Sequence, residues 1–395
     1  MRILTYCDED IGVAAGGSRQ VLELAKALAL RGHEVILVAP QSERERIAFE
    51  ASAQVQIAFV PVVRWGRLRP FSFFWGSMRL LKRLLQARRP EVLLWFDSPG
   101  QIAPLWALRN STCPIVFFVN GLPLEEVQGL WRRPPFRRLL SYGLRLASRK
   151  ATALVSVCPE VLMGLGNLEL IDTKGCSVIR NGVDPDRFFP QPQEKVRVEL
   201  NLIAQGPYVV FVGGFFPWHG LDILVEAIAI VAKSFPLVQC LMVGDGQTKR
   251  ALEEQVGQLQ LSAHVQFIGR VDFDMVPKWI AASDVCVVLH RQTRSYPGDS
   301  MKLWEYLACG RPVVATAGSG YGDTVEELRC GLSAKADDSS DLARQLLCLL
   351  VDQDLRRNMG ERGRKAVVRS HTWAARAAQL DRVCDHAIAE MKSAA

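Results

Sequence analysis

The stretch YVVFVGGFFPWHGLDILVEAIAIVAKSF, residues 208–235, contains one complete unit of strand, loop and helix. Its first five residues form a continuous apolar run, as expected of a parallel strand that is covered on both faces. The pair Gly213–Gly214 ends this run, and Gly220 precedes a segment whose apolar residues recur at helical spacing. The stretch therefore predicts a β-strand that passes through a glycine-rich loop into an α-helix.

The same alternation extends in both directions from this stretch. Later strands are predicted from apolar runs at 238–246, 265–271, 284–290 and 311–316. Earlier strands are predicted at 2–7, 35–40, 91–96, 114–119 and 153–158. Because segments of helical spacing separate these runs, the sequence predicts an α/β protein of two doubly wound, Rossmann-like domains that face each other across a cleft.

The domain boundaries follow from composition. Residues 178–195 concentrate glycine, aspartate and proline between two strand-forming regions, which is typical of a linker. We therefore expect an N-terminal domain at 1–188 and a C-terminal domain at 189–374. The last segment, 375–395, has the pattern of an amphipathic helix and is predicted to pack back on the N-terminal domain and complete it.

The composition limits the class of protein. A chain of 395 residues with 49% hydrophobic and 23% charged residues is typical of a globular protein with more than one domain. No apolar run approaches the roughly 20 residues that a membrane span needs, and the first residues do not resemble a signal peptide. The ten cysteines lack the spacing of a metal site. We expect a cytoplasmic protein with reduced cysteines and no bound metal.

The positive charge is concentrated in two segments. Residues 64–89 contain eight Arg or Lys and no acid, and residues 129–150 contain seven more and again no acid. The whole chain has a net charge of +7, so the rest carries about −8 (7 − 15). Both segments also hold Trp, Phe or Leu, which favours contact with an anionic membrane surface on its inner face. A solvated basic face is the alternative, and no nucleic-acid recognition motif accompanies the charge.

Two glycine pairs mark candidate binding loops. In open α/β sheets, ligands bind beyond the carboxyl ends of the strands, where helices begin. Gly16 and Gly17 lie between the first strand and the first helix, although a plain turn explains them equally well. Gly213 and Gly214 end the strand of the opening stretch, and His219 lies just before a helix, where it could donate to a phosphate. An aromatic turn is the alternative. Neither pair has the G-x-G-x-x-G spacing of a dinucleotide site, which disfavours an NAD-dependent dehydrogenase.

A third candidate is the segment GDSMKLWEYLACG, residues 298–310. Asp299 or Ser300 is suited to cap a helix, and the amides of Ser300 and Met301 together with Lys302 are suited to bind a diphosphate. Glu305, one turn further on, is suited to bind ribose hydroxyls, with a surface ion pair as the alternative interpretation.

These residues resemble the family 4 retaining glycosyltransferases, also described as group 1, which have the two-domain GT-B architecture. The resemblance spans nearly the whole chain. It rests on Gly16–Gly17 and on the motifs NGVDPDRFFP, VGGFFPWHGLDILVEA, MVGDG, VQFIGRV, ASDVCVVL and KLWEYLACGRPVVAT. It implies that the C-terminal domain binds a nucleotide-diphosphate sugar without a metal or other cofactor, and that the N-terminal domain binds the acceptor near Gly16 and Gly17. The implied donor-binding residues are Gly213, Gly214, Gly244, Ser300, Met301, Lys302 and Glu305.

The chain departs from the family pattern at several positions. The usual arginine and lysine after the strand fall on Gly214 and His219, and the first glutamate of the E-x7-E pattern falls on Pro297. A histidine that the family often carries in the N-terminal domain falls at about Asn120. By resemblance, the candidate catalytic residues are Glu305, Lys302, His219 and Asn120.

The resemblance implies a retaining glycosyltransferase of hexosyltransferase type, which moves a sugar from a UDP- or GDP-sugar to a glycan or lipid-linked acceptor. A role in envelope or extracellular polysaccharide synthesis would fit a peripheral membrane position. Two alternatives stay open: a catalytically weak GT-B homologue that acts as a binding or scaffold subunit, and a nucleotide-sugar 2-epimerase. The sequence leaves open the base, the sugar, the acceptor, the linkage and the oligomeric state.

Overall fold

The computed structural model describes residues 1–12, 16–41, 55–63, 69–97, 102–122, 133–171, 175–203, 206–292 and 298–394. The chain divides into two compact units. Unit 1 comprises Met1–Asn181 together with Trp373–Ala395, and unit 2 comprises Gly182–Thr372.

Unit 1 is built on a seven-stranded, all-parallel sheet with the strand order β3-β2-β1-β4-β5-β6-β7. Its strands are β1 (Arg2–Tyr6), β2 (Glu34–Pro40), β3 (Val55–Val60), β4 (Val92–Phe96), β5 (Ile115–Val119), β6 (Ala153–Ser156) and β7 (Ser177–Val178). The helices in its described residues are α1 (Gly16–Leu30), α2 (Arg69–Arg88), α3 (Ala103–Ala107), α4 (Pro134–Lys150), α5 (Pro159–Asn167) and, from the end of the chain, α14 (Trp373–Ala394).

Alternate residues of the central strands fill the two faces of this sheet. Trp95 and Phe117 lie in register on neighbouring strands, with ring centroids 4.7 Å apart. The next pair, Phe96 and Phe118, stacks at 4.5 Å on the other face. The five residues of β4 and the five of β5 are all buried, because helices cover both faces of a parallel sheet.

Unit 2 has a six-stranded parallel sheet with the order β10-β9-β8-β11-β12-β13. Its strands are β8 (Tyr208–Val212), β9 (Gln239–Val243), β10 (Val265–Gly269), β11 (Val285–Val288), β12 (Val313–Thr316) and β13 (Gly331–Ala334). Its helices are α6 (Gln193–Glu199), α7 (Leu221–Ser234), α8 (Lys249–Gln258), α9 (Val276–Ala282), α10 (Met301–Ala308), α11 (Gly320–Glu327), α12 (Ser339–Val351) and α13 (Gln353–Ser370). Short 3₁₀ turns lie at Pro217–His219 and Phe273–Met275.

Strand β8 contributes side chains to two separate hydrophobic cores. Val209 and Phe211 pack with the apolar face of α7, while Tyr208, Val210 and Val212 pack with α10 on the opposite face. Every side chain of the strand is buried, which explains why its sequence is apolar throughout and does not alternate.

The chain passes between the units at points that differ from the predicted ones. The sequence suggested a boundary at residue 188 and a returning helix from 375, whereas unit 2 begins at Gly182 and ends at Thr372. Val183 belongs to unit 2 because its N–H donates to the His371 carbonyl at 3.0 Å and it bridges to Thr372. Phe188 is buried in a core of unit 2. The predicted linker 178–195 is therefore divided: its residues up to Asn181 belong to unit 1, and those from Gly182 onward belong to unit 2.

The last helix, α14, contacts α1, β4 and β5 of unit 1. Its inner side chains Ala377, Leu380, Cys384 and Ala387 are fully buried. Asp381 accepts from the Arg31 guanidinium at 2.5 Å and from His33 Nε2 at 2.9 Å. These polar contacts hold α14 beside the turn that follows α1. Within the described part of the chain, no helix is both long enough and apolar enough to span a bilayer.

Candidate active site

The sheet of unit 2 reverses its strand order between β8 and β11, and ligands bind at such a point in doubly wound folds. Strand β11 pairs with β8 only through Val209 and Val210, so the ladder ends before the carboxyl end of β8. The N–H of Val212 donates instead to the Tyr306 hydroxyl on α10, at 2.8 Å. Helix α10 is thereby fastened to the carboxyl end of β8.

Helix α10 carries three of the predicted site residues. Ser300 occupies the N-cap with extended backbone, but its side chain makes no capping bond, and the Asp299 carboxylate accepts from Trp304 Nε1 at 3.4 Å. The first N–H groups of a helix have no acceptor within it, which leaves them available to an anion. The helix ends at Ala308, and Gly310 follows with φ +71°.

Two glycines allow the ends of β8 and β9 to approach closely. A Cβ atom placed on Gly244 would lie 1.9 Å from the Gly213 carbonyl oxygen. Gly213 and Gly244 have φ values of +146° and +135°, which a residue with a side chain rarely adopts. Only glycine fits at position 244, so the turn that ends β9 depends on it.

Lys302 lies against the end of β8. A Cβ atom placed on Gly213 would be 3.3 Å from Lys302 Nζ, and this ammonium also lies 5.4 Å from the centroid of the Phe211 ring. Burial lowers the pKa of Lys302 to about 8, while the charge of Glu305 acts in the opposite direction. The structure therefore brings Lys302 and Gly213 together and holds the ammonium where desolvation makes its charge costly.

His219 ends the 3₁₀ turn that follows the glycine pair. Its Nδ1 contacts the Gly214 carbonyl oxygen at 2.7 Å, and because a carbonyl only accepts, Nδ1 carries the proton. The imidazole also lies 5.5 Å from the Phe211 ring, and Phe216 and Trp218 stack beside it with centroids 4.6 Å apart. The Phe211 ring thus lies within about 5.5 Å of both the His219 imidazole and the Lys302 ammonium.

Glu305 lies one turn into α10, and its residue is 9% exposed. Pro297, where the family pattern has its first glutamate, lies outside the described residues. Among the residues that the structure describes, no three His, Cys, Asp or Glu side chains form a group that could hold a metal ion.

The corresponding edge of unit 1 holds Asn120, directly after β5. Its Nδ2 donates to Gln20 Oε1 at 2.7 Å, and Gln20 Nε2 donates back to Asn120 Oδ1 at 3.3 Å. Gln20 lies on α1 and is 4% exposed. This reciprocal amide pair fixes the orientation of Asn120 next to the first turns of α1.

Gly16 and Gly17 form the start of α1. A Cβ atom placed on Gly17 would lie 2.7 Å from Glu9 Oε1, so the carboxylate of Glu9 reaches the first turn of the helix. A negative side chain is favourable at this end of a helix. The helix start that the sequence assigned to a phosphate or an acceptor is therefore approached by a carboxylate of the same unit.

The described parts of the two basic segments form α2 and α4. On α2, Phe71, Trp75 and Arg79 are exposed at intervals of four residues, and Lys82 and Arg83 continue the row. Helix α4 exposes Arg138, Tyr142, Arg145 and Arg149 on one side. Both helices contact the α3 region: α2 packs against α3, and Gly143 of α4 lies beside Ile102 at the start of α3. We call these nine side chains the basic-aromatic face; residues 64–68 and 129–132 lie outside the described part of the chain.

Several residues of these edges were missed by the sequence interpretation. Phe211 looked like a plain strand residue, and Glu9 and Gln20 make contacts that only the tertiary structure creates. Arg291 could have been found from the sequence. It is a charged residue directly after the apolar run of β11, and the carboxyl ends of such strands form the edge where ligands bind.

Comparison with known families assigns both halves of the chain. The model described as Glycosyl transferases group 1 matches residues 192–366, and the model described as Glycosyltransferase Family 4 matches residues 14–187. Together the two models span most of unit 1 and most of unit 2.

Individual relatives agree with this assignment. A phosphatidyl-myo-inositol mannosyltransferase of Mycolicibacterium smegmatis is 26% identical over 97% of this chain and 93% of its own length. Sucrose-phosphate synthase from Thermosynechococcus elongatus has a TM-score of 0.79 and 22% identity, covering 98% of this chain and 99% of that one. The Anabaena protein HepE in complex with UDP-glucose has a TM-score of 0.75 and 18% identity, with 100% of both chains covered. The two structures establish the fold, the family models establish the class of reaction, and the chain belongs to glycosyltransferase family 4 as a glycosyltransferase of GT-B fold.

Proposed function

We propose that the protein transfers a hexose from a UDP- or GDP-sugar to a glycan or lipid-linked acceptor with retention of the anomeric configuration. The diphosphate would contact the amides of Ser300 and Met301, the ammonium of Lys302 and the imidazole of His219. Glu305 would accept hydrogen bonds from the ribose hydroxyls. Gly213, Gly214 and Gly244 would let the donor approach the backbone.

The observation that carries this proposal is the approach of Lys302 to the end of β8. Its ammonium lies 3.3 Å from where a Gly213 side chain would begin, beside a helix start and at the point where the strand order reverses. A cation, the first amides of a helix and a glycine-lined strand end together suit a diphosphate. The binding of UDP-glucose by a protein of the same fold also supports a nucleotide-sugar donor.

The chemistry that follows needs few proton-transfer groups. The bond between the anomeric carbon and the diphosphate oxygen breaks, and the acceptor oxygen bonds to the same face of that carbon. The acceptor proton passes to the departing diphosphate oxygen, which gives a glycoside and a nucleoside diphosphate. Lys302, His219 and the helix amides would stabilise the charge that grows on the diphosphate, so no metal or other cofactor is assigned to this step. Asn120 and the loop at Gly16–Gly17 would contact the acceptor.

The basic-aromatic face supports an acceptor at a membrane. Each Lys or Arg near an anionic leaflet contributes about 1 kcal/mol, and exposed Trp, Phe and Tyr insert at headgroup depth. A relative aligned over nearly its full length is named for a lipid acceptor, phosphatidyl-myo-inositol. We therefore place the protein at the inner face of the membrane, in the synthesis of an envelope or extracellular polysaccharide or glycolipid.

A ligand screen tests the donor. Thermal shift with UDP, GDP, ADP and their sugars should identify a binder, because a ligand at about 100 times its Kd adds roughly 2.7 kcal/mol of stability. Release of the nucleoside diphosphate from that donor then separates an enzyme from a scaffold subunit. If no nucleotide shifts the melting temperature and none is hydrolysed, the proposed donor is wrong.

Vesicle sedimentation tests the membrane. The native protein should sediment with anionic vesicles at moderate salt, and the Arg79→Glu/Arg83→Glu variant should largely stay in the supernatant. The matched control is Arg344→Glu/Arg357→Glu, which reverses two exposed charges of unit 2. Equal sedimentation of both variants would contradict a specific role for the basic-aromatic face.

A further inference from the structure

Arg291 lies at the edge where the donor is proposed to bind, and its position suggests a cation for the diphosphate. Its contacts indicate a different role. One end of its guanidinium fork binds the Asp222 carboxylate, and Nη1 donates to Asp337 Oδ1 at 3.2 Å. Both ends of the fork are therefore engaged by carboxylates within unit 2.

The contacts of Arg291 bracket His219. Its backbone N–H donates to the carbonyl of Trp218 at 2.9 Å, one residue before the histidine. Its guanidinium binds Asp222, which lies in the first turn of α7 on the other side of the histidine. Between these two attachments the chain passes through Gly220 with φ +57°. A single residue thus holds both ends of the turn that presents His219.

Arg291 is itself well anchored. It follows β11 after Leu289 and His290, which are 7% and 8% exposed, and the His290 N–H donates to Thr316 Oγ1 at 2.9 Å. Asp337 also accepts from the N–H of Gln292 at 3.4 Å. The turn is therefore held against the end of β11 and against the loop after β13. These two parallel strands end at the same edge of the sheet.

We propose that Arg291 is a positioning residue: together with Asp222 and Asp337 it sets the turn 217–220 and so the place of the His219 imidazole. This inference rests on the proposed function in one respect, because the imidazole is taken to contact the diphosphate. The contacts with the turn belong to the ligand-free protein, so they can be tested without any donor.

Hydrogen exchange in the free protein is the first test. The amides of His219 and Leu224 donate to Phe216 and Gly220 within this turn and the start of α7. Arg291→Ala should speed exchange in peptides covering 214–224 by roughly tenfold, and Asp222→Asn by roughly threefold. The control is Arg357→Ala, which removes a 68% exposed arginine that pairs with Asp354 on α13 and should leave these peptides unchanged. Unchanged exchange in both Arg291→Ala and Asp222→Asn would overturn the proposal.

The affinity for inorganic pyrophosphate is the second test. A purely electrostatic effect of Asp222 and a positioning effect predict opposite changes in this affinity. Asp222→Asn removes a negative charge near the proposed anion site. If only the loss of Coulomb repulsion mattered, this variant should bind pyrophosphate more tightly. If Arg291 and Asp222 position His219, the same variant should weaken binding by roughly threefold. A tighter complex in Asp222→Asn would overturn the proposal even if exchange increased.

The two tests separate this inference from the donor assignment. If the native protein does not bind pyrophosphate or any nucleoside diphosphate, the proposed function fails, and the exchange measurement still decides whether Arg291 sets the turn. Asp222→Asn and Asp337→Asn keep the shape of the side chain, so they supply the comparison if Arg291→Ala does not fold.

Discussion

The first strands of the two sheets occupy the same place in the strand order but end in opposite charge. After β8 in unit 2, an ammonium and an imidazole lie around the Phe211 ring. After β1 in unit 1, the Glu9 carboxylate reaches the first turn of α1, and the nearby polar pair, Gln20 and Asn120, is neutral. The shared topology supplies two helix starts with different charged side chains beside them, and only in the proposed function does the first meet an anionic diphosphate and the second a neutral acceptor hydroxyl.

The largest expected effect concerns the close approach that shapes the edge of unit 2. Gly244→Ala should destabilise unit 2 by roughly 3–5 kcal/mol, because its Cβ would lie 1.9 Å from the Gly213 carbonyl oxygen and its φ is +135°. Denaturant unfolding measures this loss. The control is Gly257→Ala on α8, where nothing lies within 4 Å, and which should stabilise by about 0.5–1 kcal/mol. Equal effects of the two substitutions would contradict the assigned contact.

The cation at the edge of unit 2 should matter more for turnover than the amide at the edge of unit 1. Lys302→Ala should lower kcat about 100-fold, since it removes a charge beside the proposed diphosphate, while Asn120→Ala should cost about tenfold or less. Release of the nucleoside diphosphate at saturating donor measures both. Lys233→Ala, at an exposed position of α7, is the control. Unchanged turnover in Lys302→Ala would remove this residue from the site.

The charge of Lys302 should also depend on pH. Because burial lowers the pKa of this ammonium to about 8, affinity for the nucleoside diphosphate should fall by up to tenfold per unit above about pH 8. Lys302→Arg keeps its charge and should bind almost independently of pH in that range. The pKa of Lys302 in the folded protein lies below the ordinary value of 10.5, so between about pH 8 and 10.5 the unfolded chain binds this proton and the native protein does not. The contribution of Lys302 to the free energy of unfolding therefore rises with pH in this range. Parallel titration curves for lysine and arginine would contradict the assigned pKa.

The smallest expected effect concerns the neutral pair of unit 1. Asn120→Ala leaves the buried Gln20 amide without its partner and should cost about 1–2 kcal/mol of stability, as should Gln20→Ala. The double variant should cost about 1 kcal/mol less than the sum, which a double-mutant cycle by denaturant unfolding measures. Gln86→Ala, on the exposed side of α2, should be nearly neutral. Strict additivity would mean that the two amides do not support each other.

Much of the fold follows from local sequence. The apolar runs of β4, β5 and β8 predicted buried parallel strands, and the helical spacing after Gly220 predicted α7, because burial on both faces leaves a periodic record in the chain. The same reasoning put Lys302 and Gly213 at strand and helix ends of one domain. It did not predict that Tyr306 would fasten α10 to Val212, which is what brings the two residues together.

Other features of the site escaped the sequence for a physical reason. Gln20 and Asn120 are 100 residues apart in the chain, and Arg291 and Asp222 are 69 apart, so neither pair leaves a local pattern. The boundary between the units was displaced for a similar reason. Proline and glycine marked residues 178–195 as a turn-rich linker, whereas the burial of Phe188 and the bridge between Val183 and Thr372 make the part from Gly182 onward a packed piece of unit 2.

Helix α14 makes unit 1 discontinuous in the sequence, since all of unit 2 lies between its two parts. The groove that Leu380 and Cys384 fill beside α1 is lined by residues that are synthesised before unit 2, yet the helix that fills it emerges only after all of unit 2. During synthesis, unit 2 has its whole chain available before unit 1 does, so the later unit in sequence can complete its folding earlier. A fragment ending at Asn181 would leave that apolar groove open to water and to other copies of itself, and unit 1 is therefore best produced with its distant helix attached.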